Sequence, residues 1–448
     1  DGLMEFIKAL DFPTGGAAEG DGVESRVSLL MGLNSADGRG NIMIGADWTR
    51  REPIMQIDRE FFRNGWLDPN NAGGQFMQPS SYGAGESAIP GGRNLPSQAA
   101  VNSLFPQVPP GTVGNSSEFR FNPDGSIFVT QAGLGYKGPL NCLADCGSFT
   151  GIKKLTNGNL DQINTNAFLQ SPLERHSMFL KGNYDVSDKL NVFVQGNYSN
   201  ISVDQRGGIP PAITVWQAPI PRDGRAIPGD LNTLLDARAN PAGHWSLYRV
   251  LDFNGPIETK NTSNVWQLMV GVGGELMDGD WSWEAYVSRG DTSIAADNQR
   301  LPSLQRYQYL VSQKDFGQGR GFVQSGRTYG ANCETGFPIF KDFVPPAECV
   351  ENIDMNMINS SKLTQEIAEA NLQGGLFDTY AGEVRFAAGI SRRENTYQYQ
   401  PGNTASAIIE NPVGLFASNA TGGAVDVSEI YGELLVPVLG ETDIPLIQ

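Results

Sequence analysis

ERHSMFLKGNYDVSDKLNVFVQGNYSNISVDQR, residues 174–206, alternates in both halves about a short polar turn. In the first arm Met178, Leu180, Gly182, Tyr184 and Val186 fall on one face, and Ser177, Phe179, Lys181, Asn183 and Asp185 on the other. After Ser187-Asp188-Lys189, Leu190, Val192, Val194, Gly196 and Tyr198 oppose Asn191, Phe193, Gln195, Asn197 and Ser199. A period of two on both sides of a tight turn is an antiparallel hairpin. Its arms exceed the ordinary strand of about 5–6 residues. They suit the roughly 9–11 residues that a tilted strand needs to cross a bilayer. On that reading Met178, Leu180, Val192 and Val194 touch lipid, and Lys181, Asn183, Gln195 and Asn197 face a polar lumen.

The pattern repeats outward in both directions. Upstream, Val27, Leu29, Met31 and Leu33 lead through a polar turn at 34–38 to Ile42, Ile44, Ala46 and Trp48. Downstream, Trp266, Leu268, Val270, Val272 and Leu276 turn at 277–280 and return with Trp281, Trp283, Ala285 and Val287. Tyr380, Gly382, Val384, Phe386, Ala388 and Ile390 make another arm. Its neighbour, 361–376, has helix-favouring composition, yet the arm needs an antiparallel partner, so a strand is expected there. A further arm spans 425–438, with a turn near Gly440-Glu441 and a stub beyond, and residues 3–12 could end another strand. The count is roughly ten arms and a stub. Short turns at 34–38, 187–189, 277–280, 377–381 and 439–443 alternate with long linkers at about 53–173, 207–259, 297–360 and 399–424. The linkers are rich in turn formers, with a small hairpin expected around Phe119–Val129, turned by Pro123-Asp124-Gly125, and a short helix near Pro228–Ala239. Short turns at one end and long loops at the other mark an all-β, antiparallel transmembrane barrel segment. Tyr184, Tyr198, Trp266, Trp281 and Trp283, near arm ends, suit its aromatic girdles; ordinary surface aromatics are the alternative.

Bulk properties narrow the field. Lys and Arg number 32 against 49 Asp and Glu, a net charge of −17, which argues against a nucleic-acid partner. Mean hydropathy is −0.29 and no apolar run approaches the length of a membrane-spanning helix. The cysteines fall in two local pairs, Cys142 with Cys146 and Cys333 with Cys349, with only two histidines in the chain. Zinc is therefore disfavoured, and loop-borne disulfides in an oxidising compartment are favoured over reduced neighbours. No leader is visible at Asp1-Gly2-Leu3-Met4, which suggests that the natural N-terminus lies further upstream.

Several stretches resemble the barrels of TonB-dependent outer-membrane receptors. They are Asn34–Asn41 leading into a strand, Glu174–Ser177 leading into the opening hairpin, Gly279–Ser288, and Ala381–Gly389. The resemblance runs the length of the chain but covers only the first half or so of such a barrel. It implies 10–11 strands of a 22-stranded barrel, residues 1–448 being a partial barrel domain without its plug. It further implies a receptor in the outer membrane of a Gram-negative bacterium, in contact with lipid and lipopolysaccharide. Such a receptor imports a scarce nutrient (an iron–siderophore, cobalamin or an oligosaccharide), energised by the TonB-ExbB-ExbD complex through the missing plug.

No enzyme is expected: there is no Gly-x-Ser-x-Gly, no P-loop and no paired histidines, and no cofactor is implied. Asp291 and Asp297 could suggest calcium, but loop aspartates are more often turn formers. Candidate ligand-binding residues are Trp216 with Arg222 and Arg225, and Trp245 with Tyr248 and Arg249, since aromatic–guanidinium sets stack on planar ligands and grip anions. The alternative is that they pack loop on loop. Lys181, Glu284, Glu383, Arg385, Glu429 and Glu433 fall on the lumen side, where they would meet a plug or water. Two other functions share the strand pattern: a passive porin, and a secreted β-rich adhesin or binding module.

Overall fold

The computed structural model describes residues 20–59, 81–83, 93–106, 109–121, 127–128, 167–207, 210–212, 214–324, 326–340, 345–402, 410–416 and 418–439. Nine long strands carry the fold: β1 (Glu24–Asn34), β2 (Gly40–Arg51), β3 (Leu173–Ser187), β4 (Leu190–Arg206), β5 (Glu258–Leu276), β6 (Trp281–Pro302), β7 (Asp354–Thr379), β8 (Gly382–Gln400) and β9 (Thr421–Leu435). They form one antiparallel sheet in which each strand lies beside its neighbours in sequence. Residues 3–12, Gly440-Glu441, the stub beyond them, and Cys142 with Cys146 lie outside the described residues.

The opening hairpin is β3–β4, with Met178 opposite Tyr198, Leu180 opposite Gly196 and Gly182 opposite Val194. Alternation set this register, because a one-residue slip would move every apolar side chain to the other face. At the first turn Gly38 takes φ +73°, and the Asp37 carboxylate accepts the Arg39 amide at 3.1 Å. The stretch 361–376 is strand within β7, as its neighbours require. Ladders to β6 and β8 on both sides outweigh the helix preference of Gln365, Glu366, Ala368, Glu369 and Ala370.

The strands run further from the turns than the alternation indicated. The linker expected at 297–360 shortens to 303–353, and that at 399–424 to 401–420. Once an apolar stretch fixes the register, polar residues above it keep pairing through their backbones, and hydropathy gives no sign of this. Asp291 and Asp297 accordingly lie in β6 rather than in a loop, and Lys362 Nζ sits 2.9 Å from Asp291 Oδ2.

All four long connections leave from the end of the sheet opposite the short turns, and their described parts pack together. Helices α1 (Gln98–Leu104), α2 (Gly229–Asp236), α3 (Leu304–Ser312) and α4 (Ala347–Ile353) join a small sheet centred on Trp245–Val250, which pairs with Ser81–Gly83, Pro211–Ala212 and Ala218–Ile220. The Glu118–Phe121 and Ile127–Phe128 hairpin extends it; its turn, Pro123-Asp124-Gly125, lies outside the described residues. The expected helix near 228–239 is α2, which buries Leu231, Leu234 and Leu235. Ser97 and Ser303 cap α1 and α3 by accepting the amides of Ala100 and Arg306. Every connection adds to one buried core: Phe105 and Phe119 from the first, Trp245 from the second, Tyr307 and Phe337 from the third, Val413 from the fourth. Cys333 and Cys349 are disulfide-bonded inside that core.

Candidate functional site

Two surfaces could carry function: one face of the long sheet, and the packed loops above it. The sheet inverts the usual placement of apolar residues. Val27, Leu29, Met31, Leu33, Met178, Leu268, Val270 and Val287 are exposed by 46–67%, while the buried core belongs to the loops. A contiguous exposed apolar face of this size marks an interaction surface.

Its outline is specific. On this face each strand carries an unbroken run of apolar, aromatic or glycine residues that begins at the turn end, and the boundary passes through the uppermost residues of these runs. These are Trp48, Met178, Tyr198, Trp266, Val287, Ala368, Ile390 and Ile430 in β2 to β9. The residue two positions nearer the loops on the same face is polar each time: Arg50, His176, Asn200, Asn264, Arg289, Glu366, Arg392 and Ser428. The boundary is not level with the hydrogen-bond ladder. Ile430 of β9 is in register, through Ile390, Ala370, Ala285, Val272, Val192 and Tyr184, with Gly40 of β2. Gly40 lies eight residues below Trp48. Over seven strand steps the boundary therefore falls about one residue per strand. With a rise of about 3.4 Å per residue and about 4.8 Å between strands, that slope is roughly 35–40°. Strands of a membrane barrel tilt by about 35–45°. A plane that cuts the strands at this angle meets only apolar, aromatic or glycine residues on this face. In β5 the band runs from Trp266 to Leu276, roughly 28 Å once the tilt is included, against about 25 Å for a barrel's apolar belt.

The aromatics at its edges point their polar atoms away from it. At the loop-side edge Trp48 Nε1 donates to Glu174 Oε1 at 3.2 Å, and Tyr198 Oη to Asn264 Oδ1 at 3.4 Å. At the turn-side edge Tyr184 Oη donates to Asp37 Oδ2 at 2.9 Å. Rings anchored in this way suit an apolar layer bounded by water on both sides.

The opposite face is polar. Asp47 there gathers Arg26 at 2.6 Å, Ser28 at 2.7 Å and Arg175 at 3.2 Å. Tyr286 Oη donates to Glu369 Oε2 at 2.8 Å, and Arg385 pairs with Glu383 at 2.7 Å. Lys181, Asn183, Gln195, Asn197, Glu284, Glu429 and Glu433 share this face by register, as alternation placed them.

The loop residues singled out from sequence sit at two depths. Trp245, Tyr248 and Arg249 are buried: Trp245 stacks on Phe340 with ring centres 5.9 Å apart, and Arg249 lies over the Phe253 ring at 4.8 Å. Burial pushes the nearby Tyr307 hydroxyl up, with Arg249 opposing. Arg225, also buried, chelates Asp223 at 2.8 and 2.7 Å. It also donates to the Val311 and Ser312 carbonyls at 3.3 and 2.7 Å, ending α3 with a cation where helix carbonyls lack partners. Arg222 bridges to Asp236 of α2 at 3.0 Å. Trp216 meets an exposed aromatic, Phe416 of the fourth connection, at 5.0 Å and 43°, beside exposed Val215. Phe416 was not legible in the sequence, because a lone aromatic after Val413-Gly414-Leu415 carries no periodic signal. Its segment is held on α3 by Arg306, whose Nε and Nη2 each donate to Glu410 at 2.8 Å, and by amide bonds from Leu304 to Asn411 and from Val413 to Pro302. Among the described residues no His, Cys, Asp and Glu cluster could hold a metal ion. The arrangement is suited to binding on an aromatic platform.

The Arg225 clamp makes the loop core acid-sensitive. Hydrogen bonds and charge from Arg225 hold the Asp223 carboxyl below its ordinary value. Its folded value is thus lower than its unfolded one. The stabilisation is complete above about pH 3.9 and disappears as pH falls through the folded value. Asp223→Asn should lower loop-module stability at pH 6, monitored by Trp fluorescence, and the gap from the parent protein should close as pH falls below the ordinary carboxylate range. A gap that stayed constant with pH would contradict the clamp.

No family profile and no curated protein matches the sequence. Among solved structures, the chain is similar to the ferric yersiniabactin uptake receptor FyuA from Yersinia pestis, at 9% identity and a TM-score of 0.30 over 92% of this chain and 42% of that one. It is also similar to the ferric-catecholate import receptor Fiu from E. coli K12. The open form gives 9% identity and a TM-score of 0.30, covering 94% of this chain and 45% of that one. The closed form gives 8% and 0.29, covering 94% and 41%. The chain therefore spans less than half the length of the receptors it matches, and overlaps this loose leave its function to be argued from its own residues.

Proposed function

We propose that the chain forms wall and loop cap of an outer-membrane receptor that imports a scarce nutrient with energy relayed through the TonB-ExbB-ExbD complex. One observation carries the membrane part: the apolar face is bounded by a line that slopes across the register at the tilt of a barrel strand. A soluble sheet has no reason to slope its boundary, and ordinary core burial would place these side chains inside. Lipid and lipopolysaccharide are then the partners of this face. The aromatic pair Trp216 and Phe416, with Arg222 nearby in sequence, is the proposed first contact for a planar or sugar-faced ligand such as an iron–siderophore, cobalamin or an oligosaccharide. The buried Arg225, Trp245, Tyr248 and Arg249 support that platform. A packed cap from four connections favours a receptor over a passive porin, which keeps its mouth open.

Fractionation and uptake together test the reading. The protein should be recovered in the outer membrane and require detergent for extraction. Cells carrying it should lose uptake of the inducing nutrient when a protonophore collapses the inner-membrane gradient. Uptake indifferent to the protonophore would select the porin, and recovery in a soluble extract would exclude both.

A further inference from the structure

Astride the sloping boundary, on β5 to β8, the apolar face carries a groove of 590 Å³. Its floor is Leu268, Val270, Val287 and Ala368, continuous with the apolar band. Its rim is charged, with Arg289, Arg392, Glu366 and Glu394. Arg289 pairs with Glu366 at 2.9 Å, and Arg392 with Asp426 at 2.7 Å. Both guanidiniums are more than half exposed and keep further N–H donors free of these pairs. Glu394 stands opposite Glu366 on one side and Asp426 on the other, and among the described residues it has no ion-pair partner. Like charges directly opposite across strands are destabilising, so this row wants a cation. The groove thus offers two guanidiniums for a phosphate, a surplus carboxylate for a neighbouring ammonium, and an apolar floor for a chain. We propose that it docks a phosphoethanolamine-bearing lipid, with phosphate on Arg289 and Arg392, ammonium on Glu394, and acyl chain along Leu268 and Val287. A purely anionic headgroup would meet Glu366 and Glu394 unfavourably, and a quaternary ammonium has no N–H to give them.

The proposal rests on the membrane reading above, and one experiment separates the two. The detergent-extracted protein is titrated with dioleoyl phosphatidylethanolamine, phosphatidylglycerol and phosphatidylcholine, and bound lipid is counted by native mass spectrometry, with and without EDTA. The ethanolamine lipid should bind about fivefold more tightly than the other two, the effect of one exposed charge pair. Glu394→Gln should erase that preference, and Arg289→Gln with Arg392→Gln should weaken all three lipids. Unchanged heat-modifiable migration of each variant confirms that it is folded. Equal binding of the three lipids, no effect of Glu394→Gln, or a preference for phosphatidylglycerol that EDTA removes would each overturn the site while leaving the membrane reading intact. A protein that stays soluble without detergent would overturn both.

Discussion

Val270→Arg is expected to cost about 2–4 kcal/mol, the cost of a cation at the lipid midplane of a barrel strand, and to block assembly into the membrane. Val270 lies in the middle of the band, in register with Val194 on β4 and Val287 on β6, and 48% of its surface is exposed. A soluble sheet would tolerate Arg at so exposed a position, because the guanidinium would reach water. The control is Asn197→Arg on β4, on the polar face and opposite Phe179 and Gln267 rather than a charge, where the change should be nearly neutral. Folding into native-like vesicles, followed by heat-modifiable migration, distinguishes them. Equal tolerance of the two substitutions would remove the assignment of faces.

Trp245→Ala is expected to cost about 3–5 kcal/mol, and the loss should fall on the loop module. Its indole is fully buried, stacks on Phe340 of the third connection, and sits at the start of the central strand of the small sheet. The long strands draw their stability from continuous ladders and from whatever covers their apolar face, whereas Trp245 belongs to the buried core of the loops. Limited proteolysis should therefore cut the variant within the loops while residues 173–206 and 258–302 stay protected. Ligand uptake should fall together with the loops, because Trp216 and Phe416 belong to the same packed unit. Cooperative loss of loops and strands together would show that the two parts are one folding unit.

What could be read in advance divides along the same line. The wall was legible because alternation over ten residues fixes both strand type and face, and the paired arms fix the order. Strand ends were less so: the ladder continues through Glu258–Val265 and Asp291–Pro302, but their mostly polar residues give no periodic signal. The slope of the boundary was hidden as well, since it exists only once the register joins Trp48 to Ile430. The loop core drew on residues scattered over four connections, and only α2 and the Phe119 hairpin had local patterns. An aromatic beside a guanidinium, as at Trp245 and Arg249, reads alike in the sequence whether it faces a ligand or a core. Burial distinguishes the two, and burial is a property of the fold.

The central claim is that a membrane plane crosses these strands along the sloping boundary. Single nitroxide labels on the apolar face of β2, β5 and β8, in protein reconstituted into bilayers, measure it directly through collisions with oxygen and with a polar nickel reagent. The account predicts oxygen-favoured collisions on this face only. The deepest site should move toward the turn end by about one residue per strand step, from near Ile44 to near Val270 and then Ala388. A deepest site level with the hydrogen-bond ladder, or equal exposure to the polar reagent on both faces, would contradict it.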